Sequence, residues 1–272
     1  MRLYNKKIVV IIGQNDSTAI KIIDLLIKFN IDKQLSGKPS EGTVEIFNLN
    51  RDNENQIKQK GERIRLLAGY DGRLDLIYDG DIRRIDVERV GNDRAVRVRI
   101  GGNYIRLTSA IFNESYSGAV DVKTIVSDAI PSFGLEVSGL DVIPDSRMND
   151  FSFTGRTSDL LDKLLKPLEI QWFEDDGFIK FSKIGVVESE RVYLLKYDSG
   201  LISAGLVEPA LEGSEKFNGI KFKAFLNGRI KLNNKIKIQS ELVNGIFKVI
   251  AISYSGDNRE GGFFIEGRGL AV

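Results

Sequence analysis

The chain has 272 residues, 42% hydrophobic and 28% charged, with a formal net charge of +1, which suits a soluble globular protein of roughly two domains. It contains neither Cys nor His. That excludes disulfides, thiolate nucleophiles, the Ser-His-Asp arrangement and histidine-ligated zinc, and the balanced charge argues against a general nucleic-acid or membrane-surface binder.

The N-terminal MRLYNKKIVVIIGQND carries basic residues before an apolar run at 8–12 only, too short for a secretory h-region of ~7–15 residues. KKIVVII therefore predicts a buried strand rather than a leader, and 13–18 a turn cluster. In AIKIIDLLIKFNID, Leu25, Ile27, Phe29 and Ile31 alternate with Leu26, Lys28, Asn30 and Asp32. Period two favours a half-buried strand over the helix that its Leu and Ile content would allow. SGKPSEG is a loop, and TVEIFNL a strand with Val44 and Ile46 on one face. Residues 50–61 then form a polar helix: Asn50 or Asp52 can cap it, Ile57 is its only large apolar residue, and Gly61 can close it. Such a helix lies on the surface, anchored by few contacts.

ERIRLLAGY restarts the sheet, and 74–102 continue it as hairpins with turns expected at Asp79-Gly80 and at 91–93. RAVRVRI places Val96, Val98 and Ile100 inward and Arg97 and Arg99 outward. With Arg83, Arg84, Arg89 and Arg94 these make a basic stretch, interleaved with Asp81, Asp86 and Glu88. It reads as a solvated sheet face, with a surface toward DNA or an acidic partner as the alternative.

Residues 118–187 change character. Val122, Ile125, Val126, Ala129 and Ile130 lie on one helix face, ended by Pro131. TGRTSDLLDKLLKPLEI offers Thr157 or Ser158 as N-cap and an apolar stripe of Leu160, Leu161, Leu164, Leu165 and Leu168. IQWFEDDGFIKFSK predicts a hairpin with Asp176-Gly177 in the turn. Two helices on a small sheet make an α+β unit with its own core. From Arg191 the pattern is β again, with alternating strands broken by Asn-Gly and a last strand in GGFFIEGRGLAV. No direct repeat is visible, although both ends look like small β-barrels or sandwiches.

Chemistry is sparse. Glu174, Asp175 and Asp176 in FEDDG would suit a two-carboxylate hydrolase or a Ca²⁺ site, but acids before Gly are ordinary turn residues. Trp172, the only Trp, would stack a sugar, yet inside a hairpin it reads as core. Gly101-Gly102, and Gly261-Gly262 with Gly267 and Gly269, lack the strand–turn–helix order of a phosphate loop. No catalytic, cofactor or metal site is expected.

The order of segments resembles the baseplate hub, or tail-tube-like, family of tailed bacteriophages and related contractile injection systems. VEIFNLN, the polar helix and IRLLAGYDG resemble its first-barrel pattern, and IYDGDIRRIDV the strand pair that follows. SGAVDVKTIVSDAI and FSFTGRTSDLLDKLLKPLEIQWFEDDGFIKF resemble its middle domain; DSGLISAGLVEP and residues 226–269 resemble its second barrel. LNGRIKLNN departs from the family's proline-containing turn. The resemblance implies a mainly β fold: two tube-like β-barrels, 1–115 and 191–272, flanking a small α+β domain, 116–190. It implies a structural homotrimer whose six barrels form a pseudo-sixfold ring between the tail tube or distal tail protein and the central spike. Surrounding baseplate proteins would be further partners, DNA a passing cargo, the virion tail its location after assembly in the host cytoplasm, and membrane insertion absent. Two other readings are a carbohydrate- or receptor-binding module using Trp172, Tyr104 or Tyr116, and a cell-wall hydrolase centred on Glu174, Asp175 and Asp176.

Overall fold

The computed structural model describes residues 5–13, 19–60, 62–70, 72–186, 191–207 and 219–272. The first part holds β1 (Lys6–Ile12), β2 (Ile20–Ile22), β3 (Ile27–Gln34), β4 (Glu41–Phe47), α1 (Arg51–Lys60), β5 (Arg63–Tyr70), β6 (Arg73–Val90) and β7 (Asp93–Gly101). Period two holds without a fault along β3: Ile27, Phe29, Ile31 and Lys33 are buried, and Lys28, Asn30, Asp32 and Gln34 exposed. Ahead of α1, the Asn50 side-chain oxygen accepts the Asn53 backbone N–H at 2.7 Å, so Asn50 is the cap. Of the sequence expectations, the C-terminal stop at Gly61 and most of the 13–18 turn lie outside the described residues.

The expected turn at Asp79-Gly80 does not form. β6 runs unbroken and changes partner instead: residues 73–81 pair with β5, and 82–90 with β7. Asp-Gly between apolar runs is a strong hairpin signal. Here the glycine serves close approach, because a Cβ on Gly80 would lie 2.6 Å from the Tyr78 hydroxyl and 3.3 Å from the Gly102 Cα. The turn at 91–93 does form, with Gly91 at φ 62.

The middle part holds α2 (Tyr104–Ser109), β8 (Ile111–Ser115), β9 (Ala119–Asp121), α3 (Val122–Ala129), β10 (Glu136–Ser138), β11 (Arg147–Asn149), β12 (Ser152–Arg156), α4 (Thr157–Leu165), β13 (Ile170–Asp175) and β14 (Phe178–Lys183). Its strands form small separate sheets, β10-β14-β13, β11-β9 and β12-β8. Side chains from Leu107 to Phe181 close a core of their own, including the predicted faces of α3 and α4. α3 ends at Ala129, just ahead of Pro131 as expected, and a 3-10 turn, Ile130–Phe133, follows with the proline near its start. Neither Thr157 nor Ser158 caps α4. Arg156 is the N-cap residue, and Thr157 is buried in the first turn with its hydroxyl 2.7 Å from that of Ser132.

The last part holds β15 (Val192–Lys196), β16 (Leu201–Val207), β17 (Gly219–Phe225), β18 (Lys235–Gln239), β19 (Asn244–Asp257) and β20 (Phe263–Ala271). Its strand order, β16-β17-β20-β19-β18-β15, repeats that of the first part, β3-β4-β7-β6-β5-β1. The two differ at the end, where β1 is antiparallel to β5 and β15 parallel to β18. The long strands correspond in detail: β6 bulges between Ile82 and Arg84, and β19 between Val249 and Ala251, each where its register shifts. β3 also pairs with β19, so both parts share one sheet and one apolar core. Among the described residues no ladder joins the outer strands, β16 and β2.

Candidate functional site: a charged junction under the insert hairpin

FEDDG forms the tip of the β13–β14 hairpin. Asp176 and Gly177 have φ of 53 and 94, the pair of positive values of a type I′ turn, and Asp175 faces Phe178 across it. The turn expectation holds, but the tip is not in solvent. It is driven between the two β parts.

Each carboxylate there has named partners. Lys33, on β3, donates to Asp175 at 2.9 Å and to Asp176 at 2.6 Å. Lys180, on β14, donates to the second Asp175 oxygen at 2.8 Å. Lys231, between β17 and β18, donates to the second Asp176 oxygen at 3.0 Å and to the Leu76 carbonyl at 2.6 Å. The Asp79 backbone N–H donates to Asp176 at 3.3 Å. The hairpin tip thus ties β3 and β6 of the first part to the β17–β18 connection of the last.

Burial opposes the Lys33 charge, but Asp175 and Asp176 outweigh it and hold the ammonium well above its ordinary range. Burial likewise works against the Asp175 charge, and Lys33, Lys180 and Lys231 together pull that carboxyl below the usual carboxylate range. Lys231 goes the other way: burial and the Lys33 charge lower it, against Asp176 and Asp175. Glu174 is pushed up to about 7 by burial, against the Gly177 N–H, Lys33 and the Asn103 amide. Its Oε1 accepts from the Asn103 Nδ2 at 2.8 Å and the Gly177 N–H at 2.9 Å. A carboxylate gripped by two ammonium groups in a closed core is a lock rather than a proton shuttle.

The other sequence candidates are scattered. Trp172 is core: its indole N–H donates to Asp162 at 2.7 Å and its ring stacks on Phe133 with centroids 5.9 Å apart. Tyr104 lies under the Arg83 guanidinium, 4.2 Å from its ring centroid, at the edge of an open cleft of about 810 Å³ over β3, β17, β19 and β20. Tyr116 donates its hydroxyl to Asp128 at 2.8 Å, and burial with that acid raises the phenol to about 12. Among the described residues no ring contact joins these aromatics into a platform. On the basic stretch, Arg97 pairs with Glu45 and Glu88, and Arg84 with Asp86. Its charge is largely spent within the sheet face. Gly102 belongs to the junction, because a Cβ there would lie 2.6 Å from a Glu174 oxygen. No group of three or more acids among the described residues is arranged for a metal ion.

Sequence reasoning missed the junction lysines Lys33, Lys180 and Lys231, and it missed an anchor elsewhere. Glu54 on α1 is buried beside Ile57, and Arg94 grips it through two nitrogens at 2.8 Å each while Lys58 donates at 2.9 Å. The hydrogen bonds from Arg94 and Lys58 lower its carboxyl to about 2.

A family model described as baseplate hub gp41 matches residues 7–269. The chain belongs to this family. No curated protein matches the sequence significantly. Among solved structures, the hub chain is similar to the 43 kDa tail protein of prophage MuSo2 from Shewanella oneidensis, with a TM-score of 0.64 at 11% identity over 98% of this chain and 97% of that one. It is similar to a tail protein from Neisseria meningitidis MC58, TM-score 0.67 at 9% identity with the same coverage. A third likeness is to the E. coli c3393 protein, TM-score 0.64 at 13% identity over 91% of this chain and 73% of that one. These likenesses establish a shared mostly β fold with tail proteins, and family membership establishes a baseplate hub.

Proposed function

We propose that this chain is a structural, non-catalytic hub. Three copies close into a pseudo-sixfold ring that joins a six-fold tail tube to a three-fold central spike and continues the conduit for DNA. In this reading the first β part, through β7, and the last, from 191, are the tube-like units, and the part with its own core, which begins at α2 rather than at 116, is the middle domain. The protein sits in the virion tail after assembly in the host cytoplasm, beside surrounding baseplate proteins.

The observation that carries this is the repeated strand plan. Two units of one topology per chain give three copies six similar units, which matches a six-fold partner on one side while the chain itself remains three-fold. The c3393 protein is described as a type VI secretion component with structural similarity to the T4 tail proteins gp27 and gp5, and that description supports the same setting. The test is the solution mass of the purified chain, alone and co-expressed with tube and spike proteins, followed by imaging. A trimeric ring with an open centre supports the reading; failure to form a ring in both preparations overturns it.

A further inference from the structure

The joint between the two units inside one chain is a template for the joint between chains. Register alone aligns them. The bulges match Arg84 with Ala251, and Val87 with Tyr254. Following the ladders outward matches Val98 with Gly267, Val44 with Phe222, Phe29 with Ala204 and Ile31 with Leu206. Inside the chain, β3 lies antiparallel on the far edge of β19, with Asp32 opposite Ser253, Ile31 opposite Tyr254 and Lys28 opposite Asp257.

Among the described residues the corresponding edges are both unpaired. β16, which matches β3, pairs only with β17, and residues 84–90 of β6, which match the occupied part of β19, pair only with β7 among the described residues. Their side chains report the gap. Ile31 is 0% exposed at the internal joint, whereas its counterpart Leu206 is 73% exposed. Tyr254 is fully buried, whereas its counterpart Val87 is only partly buried against the core. The β16 edge, LISAGLV, also has no charged residue and no proline, the usual guards of an unpaired strand.

We infer that β16 of one copy adds antiparallel to β6 of the next copy, with Val207 opposite Asp86, Leu206 opposite Val87, Gly205 opposite Glu88, Ala204 opposite Arg89 and Ser203 opposite Val90. The occupant is a second copy of this chain, and the inference rests on the ring reading above. The joint is heterologous, so each copy offers one β16 and one β6, and closure after three copies consumes every such edge. Leu206 then enters the inward layer where Ile31 lies in the internal joint.

The absence of Cys from the chain makes a disulfide test clean. The double variant Glu88→Cys/Gly205→Cys puts thiols on directly opposed residues of the outward face, within disulfide reach. A Cβ at Gly205 meets no atom within 4 Å, so the site tolerates it. Under mild oxidation this variant yields reducible dimers and trimers on denaturing gels. Glu88→Cys/Ala204→Cys, offset by one residue onto opposite faces, does not. Leu206→Asp, exposed in the single chain, keeps the wild-type melting temperature and loses assembly. Trimers by mass without the 88–205 crosslink overturn this edge assignment and leave the ring standing. A crosslink that builds open, unclosed chains supports the edge assignment and overturns the ring. Monomers with no crosslink, alone and with tube and spike proteins, overturn both.

Discussion

The Lys33 ammonium lies 2.9 Å from the Asp175 carboxylate with both side chains almost wholly out of solvent, at 1% and 2% exposure. One comes from the first β part and the other from the tip of the middle hairpin. Removing one partner of a buried pair leaves the other charge stranded and costs about 3–5 kcal/mol. Lys33→Met is therefore expected to lower stability by that order in urea melts at pH 7, and Asp176→Asn by less, since Lys33 keeps Asp175. The pH signs follow. Asp175, lowered in the fold, contributes stability above the ordinary carboxylate pKa and loses it as acid approaches its folded value. Lys33, raised in the fold, contributes below its ordinary pKa and loses it only as alkali approaches its folded value. Lys33→Met with wild-type stability would remove the lock.

The polar helix α1 has two anchors of different kinds. Ile57 is 1% exposed, so Ile57→Ala removes packed methyl groups and is expected to cost about 2–5 kcal/mol. Glu54→Gln keeps the shape and weakens the grip of Arg94 and Lys58. Because the Glu54 carboxyl is lowered to about 2 from 4.5, its contribution is present above pH 4.5 and disappears as pH falls toward 2. The gap between wild type and Glu54→Gln should thus close in acid. A gap that stays constant from pH 7 to pH 3 would show that the ion pairs are not its source.

Local order was legible in the sequence wherever one face meets a core. The alternation of β3, the stripes of α3 and α4 and the Asp176-Gly177 turn all formed. What failed or stayed hidden depended on distant residues. Asp79-Gly80 looked like a turn until Tyr78 and Gly102 were seen to need the missing Cβ. Period two puts Lys33 on the inward face of β3, but nothing local satisfies an ammonium there, and only the hairpin tip, 142 positions on, explains how it is buried. The repeated strand plan leaves little trace in the residues because matched positions differ in kind: Val98 faces inward where Gly267 does, and the Phe222 ring takes up the room beside that glycine, 2.5 Å from where a Cβ would lie. Topology is conserved between the units by backbone pairing, which many side chains satisfy.

Of the three aromatics in the glycan reading, Trp172 is the one held in a core. The ring is 3% exposed, stacked on Phe133, and packed so closely on Gly37 that a Cβ there would meet it at 2.5 Å. Trp172→Ala is expected to cost about 3–5 kcal/mol, whereas Trp172→Phe loses the hydrogen bond to Asp162 and less packing. Neither variant should change binding on a glycan array while it remains folded. Loss of a glycan signal in folded Trp172→Phe would restore the carbohydrate-binding reading.

Glu174 gives the sharpest pH signature. Its carboxyl is raised to about 7 from an ordinary 4.5 because burial disfavours the charge more than Gly177, Lys33 and Asn103 favour it. The native state therefore binds more protons than the unfolded state between those values. The group's stabilising contribution is complete below pH 4.5 and is lost as pH rises toward 7, a swing on the order of 3 kcal/mol at ~1.4 kcal/mol per tenfold change in proton affinity. Above pH 7 the native state carries a buried carboxylate at full cost. Glu174→Gln never ionises, and its amide oxygen can still accept from Asn103 and Gly177. The variant should melt close to wild type at pH 5 and clearly above it at pH 8, in the opposite sense to Glu54→Gln, whose gap opens with rising pH in wild type's favour. A wild-type minus Glu174→Gln difference that does not move between pH 5 and pH 8 would mean that burial does not bring the Glu174 titration into that window.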